Sequence, residues 1–230
     1  MSAPGAAARI EVVCLDMAGT TVADDGVVAA AFGSALDALG VTDVAERARM
    51  GAYVRATMGT SKIEVFGALF GDEGRARRAN DAFEAAYEAS VAAGGVGPLP
   101  GAVECLGALR AAGLSVALTT GFSPRTRAAL VEALGWGPLV DLALSPADAG
   151  RGRPAPDMIL TALMRLGGTS VAAVAVAGDT AADMVAGRRA GASMVVGVLT
   201  GSDDRARLLE GGATAVLASV AELPALLGVA

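Results

Sequence analysis

Histidine is missing from this chain: none of its 230 residues is one. This absence excludes catalysis by serine–histidine or cysteine–histidine pairs, and it removes the commonest zinc ligand. Lysine is nearly missing too, because Lys62 is the only lysine among 18 basic residues and the remainder are arginines. Arginine stays protonated, so Lys62 is the only side-chain amine that can act as a nucleophile. A compositional bias towards arginine is the alternative explanation of the single lysine.

Cysteines, long apolar runs and clusters of positive charge are also scarce. Cys14 and Cys105 are the only cysteines, and both lie in apolar patterns, which favours small buried side chains in a reduced, cytoplasmic protein. No apolar run has the length of a membrane span. Acidic residues outnumber basic ones by 24 to 18, without a basic run, so we expect neither nucleic acid nor a membrane surface as a partner.

Strand and helix patterns, by contrast, alternate through most of the chain. The apolar run 12–15 predicts a buried strand that ends on Asp16, and helical spacing then continues to residue 91 without a convincing strand. The alternation resumes at residue 102. We predict an α/β fold, with a doubly wound, parallel, Rossmann-like sheet core formed by residues 1–21 and 97–230. An all-helical cap domain is inserted at residues 22–96, between hinges at residues 20–25 and 94–101.

The predicted elements follow from hydrophobic spacing and from the position of glycine and proline. In the cap we expect helices at residues 27–39, 44–58, 62–70 and 75–91. In the core we expect helices at residues 102–112, 123–134, 157–166 and 180–190, with strands at residues 114–118, 139–144, 171–177 and 194–198, before a last helix, short strand and helix.

Three of the predicted strands end on polar residues. The first ends on Asp16, the second on Thr119-Thr120-Gly121 before a helix start, and a later one on Gly178-Asp179, with Asp183 four residues on. Ligands of open α/β sheets bind beyond the carboxyl ends of the strands. Hydroxyl and backbone N–H groups at a helix start suit a phosphate, and the two carboxylates Asp16 and Asp179 suit Mg²⁺. Taken singly, each aspartate is equally explained as a turn or helix-capping residue.

Together, the motifs resemble the haloacid dehalogenase superfamily over nearly the whole chain. They are Asp-x-x-Gly-Thr from Asp16, Thr120-Gly121, and Gly-Asp-x-x-x-Asp with an Ala-Gly-x-x-Ala-Gly helix. The resemblance implies an Mg²⁺-dependent enzyme in which Asp16 is both the nucleophile that takes the phosphoryl group and a metal ligand. The other members of the implied metal set are the carbonyl of Ala18, Asp179 and Asp183.

The residue at position 18 departs from the phosphatases of that superfamily. Phosphatases carry an aspartate two residues after the nucleophile, which protonates the leaving oxygen, and here that residue is Ala18. The Asp-x-Ala-Gly-Thr sequence resembles instead the phosphonatase-like branch, the phosphonoacetaldehyde hydrolases, whose leaving group is carbon. Cleaving a carbon–phosphorus bond requires an electron sink, and an imine formed by an amine is one.

Met58-Gly59-Thr60-Ser61-Lys62 resembles the Met-Gly-x-x-Lys motif of the same branch. The resemblance implies that Lys62 forms the Schiff base and that Arg153 stands where other superfamily members carry lysine. Two positions differ, since the branch has a histidine where this chain has Val65 and a tyrosine where it has Phe122. The implied substrate-binding set is completed by the following residues: Thr20, Met58, Gly59, Thr119, Thr120 and Gly121.

These observations predict a hydrolase that cleaves the carbon–phosphorus bond of a 2-oxoalkylphosphonate, with Lys62 and Asp16 as catalytic residues and Mg²⁺ as cofactor. A phosphatase or phosphoglucomutase-like enzyme acting on a small phosphate ester is the first alternative, and an inactive member that binds a phosphorylated ligand is the second. The expected partner is a small phosphonate or phosphate. We expect the cap to close over Asp16, and the resemblance implies a homodimer formed through the cap.

Overall fold

A six-stranded parallel sheet forms the centre of the computed structural model, which describes residues 9–23 and 26–229. The order across the sheet is β5-β4-β1-β6-β7-β8. These strands are β1 (Val12–Asp16), β4 (Ser115–Thr119), β5 (Leu142–Leu144), β6 (Val174–Gly178), β7 (Met194–Val198) and β8 (Ala215–Leu217). The predicted α/β class and the parallel, doubly wound sheet are confirmed. The predicted core also includes residues 1–8, and the first hinge residues 24 and 25, which lie outside the described residues.

The order of the strands places the three polar strand ends side by side. β1 lies between β4 and β6, with Asp16 level with Thr119 and Leu15 level with Ala177. The chain leaves β1 on one side for β4 and returns on the other for β6, so β1 is at the point where the strand order reverses. Binding sites of open α/β sheets form at such a point.

Helices cover both faces of the sheet, and their starts carry recognisable capping residues. Ser123 accepts a hydrogen bond from Thr126 N at the start of α6, and Thr180 accepts one from Asp183 N at the start of α9. The helices after the second hinge are α5 (Ala102–Ala111), α6 (Pro124–Ala133), α7 (Pro146–Ala149), α8 (Asp157–Arg165), α9 (Ala181–Ala190), α10 (Arg205–Glu210) and α11 (Leu223–Leu226).

Four helices between residues 27 and 92, here called the helical segment, lie between β1 and the rest of the sheet in the sequence. They are α1 (Val27–Ala38), α2 (Val44–Ala56), α3 (Lys62–Phe70) and α4 (Glu73–Ala92). The side chain of Asp43 caps α2 and that of Asp72 caps α4, while Gly71 ends α3 at a φ of 62°. These signals explain why the predicted helix bounds lie within two residues of the observed ones.

A stack of aromatic rings forms the inside of the helical segment. The ring centroids of Phe32 and Phe66 are 5.6 Å apart, and those of Phe66 and Phe83 are 6.0 Å apart. The stack continues through Tyr87 to Phe122 in the core, with 4.5 Å between the last two centroids. Since Phe122 follows the Thr120-Gly121 turn, the apolar interior of the helical segment is continuous with the wall of the predicted site.

Polar contacts also join α4 of the helical segment to α6 of the core. Glu84 accepts a hydrogen bond from the hydroxyl of Ser123 at 2.5 Å, and Glu88 accepts one from Thr126 at 3.1 Å. Both acceptors are carboxylates at the N-terminus of α6, where the helix dipole favours negative charge. That residues 22–96 form a cap domain that moves separately from the core stays a prediction.

Several short elements differ from the sequence-based expectation. A two-residue strand β2 (Val22–Ala23) pairs antiparallel with β3 (Gly97–Pro98), so the two ends of the helical segment are joined by a ribbon where no strand was expected. The apolar run at residues 171–177 splits into a 3₁₀ turn (Val171–Ala173) and β6. Two residues in each strand of a ribbon are too few to produce an alternating pattern.

The two cysteines occupy the buried positions that were predicted. Burial raises the pKa of the Cys14 and Cys105 thiols to about 12, so neither is a reactive thiolate near neutral pH. Within residues 9–23 and 26–229, none of the helices is both long enough and apolar enough to cross a membrane.

Candidate active site

Asp16 lies at the carboxyl end of β1, with only 4% of its surface exposed. The tight turn that follows is held by the carbonyl of Met17, which accepts hydrogen bonds from the backbone N–H of Thr20, Thr21 and Val22. The hydroxyl of Thr21 donates to the carbonyl of Asp16 at 2.8 Å. The turn therefore fixes the backbone of Asp16 and directs the chain away from the strand end.

Gly19 allows that turn to approach the second carboxylate of the site. Its φ is +89°, and a Cβ at this position would be 2.5 Å from Oδ2 of Asp179. The hydroxyl of Thr20 donates to Oδ1 of Asp179 at 3.2 Å. The Gly-Thr pair after Asp16 thus places Asp179, at the end of β6, next to the turn after β1.

Arg153 lies between two of the predicted acidic residues. Its Nη1 donates to Oδ1 of Asp16 at 2.5 Å and also to Oδ1 of Asp183. Burial works against the charge of the Arg153 guanidinium, but Asp16 and Asp183 outweigh it, and the pKa of Arg153 is raised above its usual value. The Nε of Arg153 is buried and has no hydrogen-bond partner among the described residues, which leaves one donor for a ligand.

Burial also shifts the pKa values of the carboxyl groups. The pKa of Asp16 is raised to about 6, mainly by burial, with Arg153 opposing the shift and Asp183 adding to it. The pKa of Asp179 is raised well above its usual value by burial and by the charges of Asp16 and Asp183. A cation beside Asp16 and Asp179 would relieve both effects.

The donor set fits a magnesium ion, although no ready-made cage of three acidic ligands is found among the described residues. Mg²⁺ usually takes one or two carboxylates and completes its shell with water and substrate oxygens. Asp16, Ala18 and Asp179 all line one chamber. Carboxylate and backbone carbonyl oxygens are hard ligands of the required kind.

Asp183, which the resemblance placed in the metal set, has both carboxylate oxygens engaged and does not line the chamber. Its Oδ1 accepts from Arg153, and its Oδ2 accepts from the hydroxyl of Thr180 at 2.5 Å and from Thr180 N at 3.2 Å. We therefore interpret Asp183 as a residue that positions Arg153 and the start of α9 rather than as a direct ligand. The sequence pattern could not separate these roles, because both require an acid at this spacing.

The predicted phosphate-binding turn lies at the end of β4. Thr120 and Gly121 line the chamber, and α6 begins three residues later at Pro124. The hydroxyl of Thr120 accepts a hydrogen bond from Phe122 N at 3.3 Å. Thr119 and Thr20 are buried beside the chamber but do not line it, so their predicted contacts with substrate lack support in the geometry.

Lys62 reaches the same chamber from the helical segment. It is the first residue of α3, is 9% exposed, and has its Nζ 5.7 Å from the centroid of the Phe122 ring. Its backbone N–H donates to the carbonyl of Gly121 at 3.3 Å, which ties the start of α3 to the phosphate-binding turn. The only lysine of the chain therefore lies in a chamber that also holds Asp16 and Asp179.

Two glycines permit the close approach that brings Lys62 there. A Cβ on Gly59 would overlap the hydroxyl of Thr180, and a Cβ on Gly121 would be 2.7 Å from the carbonyl of Thr60. Met58 and Gly59 both line the chamber, as expected from the Met-Gly-x-x-Lys pattern. The position that the resemblance gives to histidine, Val65, is buried in the apolar interior of the helical segment.

The loop after β7 is a part of the site that the sequence analysis missed. The backbone N–H of Ser202 donates to Oδ2 of Asp179 at 2.8 Å, and the hydroxyl of Thr200 donates to the carbonyl of Gly19 at 2.7 Å. A Cβ on Gly201 would overlap the Asp179 carboxylate. In the sequence, Thr-Gly-Ser-Asp reads as an ordinary turn, and only its position after a strand of the same sheet indicated a role.

In this state the chamber has a volume of about 30 Å³. That space holds about two water molecules. Its wall combines core residues with residues 28, 58, 59 and 62 of the helical segment. The space left between the two parts is therefore narrow.

Comparison with known proteins gives one family for this arrangement. The sequence model of the haloacid dehalogenase-like hydrolases matches residues 10–191. A crystal structure of a phosphonoacetaldehyde hydrolase-like protein from Oleispira antarctica has a TM-score of 0.83 and 27% identity, covering 99% of this chain and 95% of the other.

Curated relatives carry two kinds of name. Phosphonoacetaldehyde hydrolase of Parabacteroides distasonis is 33% identical over 154 residues, so the match spans a little over half of each protein, 56% of this chain and 57% of the relative. The Bacillus cereus protein of that name is 33% identical over 208 residues, covering 85% of this chain and 78% of its own length. A probable phosphatase, IndB of Dickeya dadantii, is 30% identical and covers 80% and 79%.

Proposed function

Because the chain belongs to the haloacid dehalogenase-like hydrolase family, we propose that it cleaves the carbon–phosphorus bond of a 2-oxoalkylphosphonate. The observation that carries the proposal is the position of Lys62, whose side chain lines the same buried chamber as Asp16. The alanine at position 18 agrees with it, since a carbon leaving group needs no acid that protonates an oxygen. The names of the relatives from P. distasonis and B. cereus agree as well.

In the proposed reaction, the neutral amine of Lys62 adds to the carbonyl carbon, one proton is taken up from solvent and a water molecule is lost, which gives a protonated imine. Hydrolysis of the imine later returns this proton. The imine nitrogen lies two bonds from the carbon that carries phosphorus, so it can accept the electron pair of the breaking carbon–phosphorus bond. The pair then resides in an enamine. The burial of Lys62 favours this step because it keeps bulk water away from the imine.

Asp16 takes the phosphoryl group as the carbon–phosphorus bond breaks. A carboxylate oxygen attacks phosphorus, and a water molecule later hydrolyses the resulting acyl phosphate to inorganic phosphate and free Asp16. Thr120, Gly121 and the unpaired Nε of Arg153 are available to hold the phosphonate oxygens. Bound Mg²⁺, held by Asp16, Asp179 and the Ala18 carbonyl, would supply charge stabilisation for the phosphoryl oxygens.

The carbon fragment leaves after the enamine takes up a proton and the resulting imine is hydrolysed. The net reaction consumes one water molecule and yields phosphate and a carbonyl compound in which hydrogen replaces the phosphono group. Val65 cannot donate the proton that a histidine supplies in the resembling branch. With no histidine in the chain, a water molecule in the chamber is the proposed proton donor.

Hydrolysis of a small phosphate ester is the second candidate function. It is favoured by the match to the probable phosphatase IndB, and it needs only Asp16, Asp179 and the phosphate-binding turn. The missing acid at position 18 counts against it. A protein of this family that only binds a phosphorylated ligand would not need these groups together. That function is disfavoured, because Asp16, Asp179 and Lys62 all line one chamber.

Borohydride trapping separates these functions. The protein is incubated with a 2-oxoalkylphosphonate, with a sugar phosphate, or alone, and borohydride is then added. We expect loss of activity and one substrate-derived mass on the Lys62 peptide with the phosphonate only. The N-terminal amine is the competing site, and peptide mapping distinguishes the two. Turnover of a carbonyl phosphonate without any trapping would falsify the Schiff-base mechanism, and turnover of the sugar phosphate alone would favour the phosphatase.

Opening of the helical segment about the β2–β3 ribbon is part of the proposal, since the chamber is too small for substrate in the closed state. We also propose that the protein acts in the cytoplasm and that a homodimer forms through the helical segment. Cross-linking and sedimentation of the purified protein would test the second statement.

A further inference from the structure

A second cavity, here called the side pocket, adjoins the active-site chamber. It has a volume of about 260 Å³, against about 30 Å³ for the chamber. Three residues line both spaces, namely Ala18, Met58 and Ser202. The two spaces therefore share part of their wall, and one of the shared residues is the flexible Met58, in the loop that precedes α3.

The lining of the side pocket is neutral. Ala18, Ala23, Met58 and Leu99 contribute apolar surface, Thr200 and Ser202 are the hydroxyl residues, and no charged side chain lines it among the described residues. The Thr200 hydroxyl is already used as a donor to the Gly19 carbonyl. Such a pocket accepts alkyl groups, whereas a carboxylate would lose its hydration there without gaining a cationic partner.

Where the start of α3 meets the turn after β4, the chamber is closed by backbone. The N–H of Lys62 donates to the carbonyl of Gly121 at 3.3 Å, and a single added carbon on Gly121 would come within 2.7 Å of the Thr60 carbonyl. A third cavity lies beyond this contact, and Glu84 and Asn80 line it. A group attached to the carbonyl carbon cannot extend in that direction without breaking the contact between the helical segment and the core.

We propose that the side pocket receives the substituent on the carbonyl carbon of the substrate, and that this substituent is a neutral alkyl group. The inference rests on the proposed function and sharpens it, since it names 2-oxoalkylphosphonates with an alkyl chain as the substrate class. Phosphonates that carry a carboxylate on the carbonyl carbon are excluded by the same lining.

The test compares kcat/KM for four phosphonates, with hydrogen, methyl, ethyl or carboxylate on the carbonyl carbon, in the wild type and in three variants. Ala23→Leu narrows the side pocket and Leu99→Ala widens it. Ala68→Leu is the matched control, at an exposed position of α3 outside both cavities. Ketones and aldehydes differ in their reactivity towards amines, so the readout is the ratio of the ethyl ketone to the aldehyde, normalised to the wild type.

We expect Ala23→Leu to lower this ratio about tenfold and Leu99→Ala to raise it, because one methylene in a hydrophobic pocket changes specificity by about tenfold or more. The control leaves the ratio unchanged, and the carboxylate compound is not cleaved by any of the proteins. Circular dichroism shows whether each variant is folded. Because the ratio should fall in Ala23→Leu and rise in Leu99→Ala, a general loss of activity could not produce both results.

Two results would overturn the inference while leaving the proposed function intact. One is an unchanged ratio in both Ala23→Leu and Leu99→Ala, and the other is efficient cleavage of the carboxylate compound. If the wild type cleaves none of the four phosphonates, the proposed function itself fails, and the side pocket then has no alkyl substituent to receive.

Discussion

The chamber has two halves, a core half that contains Asp16 and Asp179 and a helical half that contains Met58, Gly59 and Lys62. The two halves are held in place by different interactions. In the core half, hydrogen bonds hold the carboxylates: Asp16 accepts from Arg153, and Asp179 accepts from Thr20 and Ser202. In the helical half, one backbone hydrogen bond, from Lys62 N to the Gly121 carbonyl, joins the start of α3 to the core. The rest of the contact is packing, at Gly121 and through the aromatic rings of the helical segment. The first half is a property of the sheet, and the second depends on how the helices are seated.

This difference assigns separate tasks to the two halves. The core half alone offers what phosphoryl transfer to a carboxylate requires, which is a nucleophile, a place for a cation and a phosphate-binding turn. The helical half adds one amine, and with it the electron sink for a carbon leaving group. We therefore expect loss of the Lys62 amine to abolish carbon–phosphorus cleavage alone, and loss of Asp16 or Asp179 to abolish every phosphoryl transfer.

The largest expected effect comes from removing the amine while keeping its charge. Lys62→Arg should reduce carbon–phosphorus cleavage to the background rate, because a guanidinium cannot form the imine. Binding of Mg²⁺, measured by calorimetry, should be unchanged, since the core half is untouched. Release of phosphate from a 2-oxoalkylphosphonate by the Lys62→Arg protein would contradict the assignment of the electron sink to the helical half.

The second prediction converts the core half into a phosphatase. Ala18→Asp places a carboxylic acid in the chamber, and general acid catalysis is worth about 10²–10⁴-fold, so hydrolysis of alkyl phosphates should increase by that order. Cleavage of the phosphonate should fall at the same time, because the new negative charge keeps the Lys62 amine protonated.

Ala18→Asn is the matched control for that variant, because its side chain has nearly the same shape but no acidic proton. It should hydrolyse alkyl phosphates no faster than the wild type. Equal gains in the aspartate and asparagine variants would show that the polarity of the side chain, rather than acid catalysis, limits the phosphatase reaction.

The core half was largely predictable from the sequence, because each of its elements carries a local signal. The apolar run before Asp16, the Thr-Thr-Gly turn and the Gly-Asp junction each end a strand, and parallel strands bring such ends to one edge. The helical segment was predictable in its bounds from Asp43, Asp72 and Gly71. The predicted contact of Arg153 with substrate stays a prediction, since the structure places its Nη1 on Asp16 and Asp183.

The remaining features depend on contacts between distant parts of the chain. Arg153 and Asp16 are 137 positions apart, and Thr200 and Gly19 are 181 apart, so no local pattern links them. Asp183 illustrates the same limit at short range. The resemblance placed it in the metal set, and only its neighbours showed that Arg153 and Thr180 already occupy its oxygens.

The third prediction tests the core half through the loop after β7. Gly201→Ala should displace the Asp179 carboxylate, because the added Cβ overlaps it, and should weaken Mg²⁺ binding about 10–100-fold, as loss of outer-sphere support commonly does. Gly137→Ala is the control, since its Cβ would meet no atom within 4 Å. Equal Mg²⁺ affinities in the two variants, measured by calorimetry, would show that the loop does not position Asp179.

The last prediction concerns stability. The pKa of Asp16 is raised from 3.8 to about 6 in the folded protein, so the folded state binds more protons than the unfolded state between those values. Without metal, stability should therefore fall as pH rises from about 4 to about 6, and Asp179 adds to the fall. Mg²⁺ at about 100 times its Kd should raise Tm by about 5–10 °C at pH 7.5 and by less at pH 5, where protons compete for the same oxygens. Asp179→Asn should abolish most of this rise. An equal rise at both pH values, measured by calorimetric melting, would mean that Mg²⁺ binds elsewhere than at the buried carboxylates.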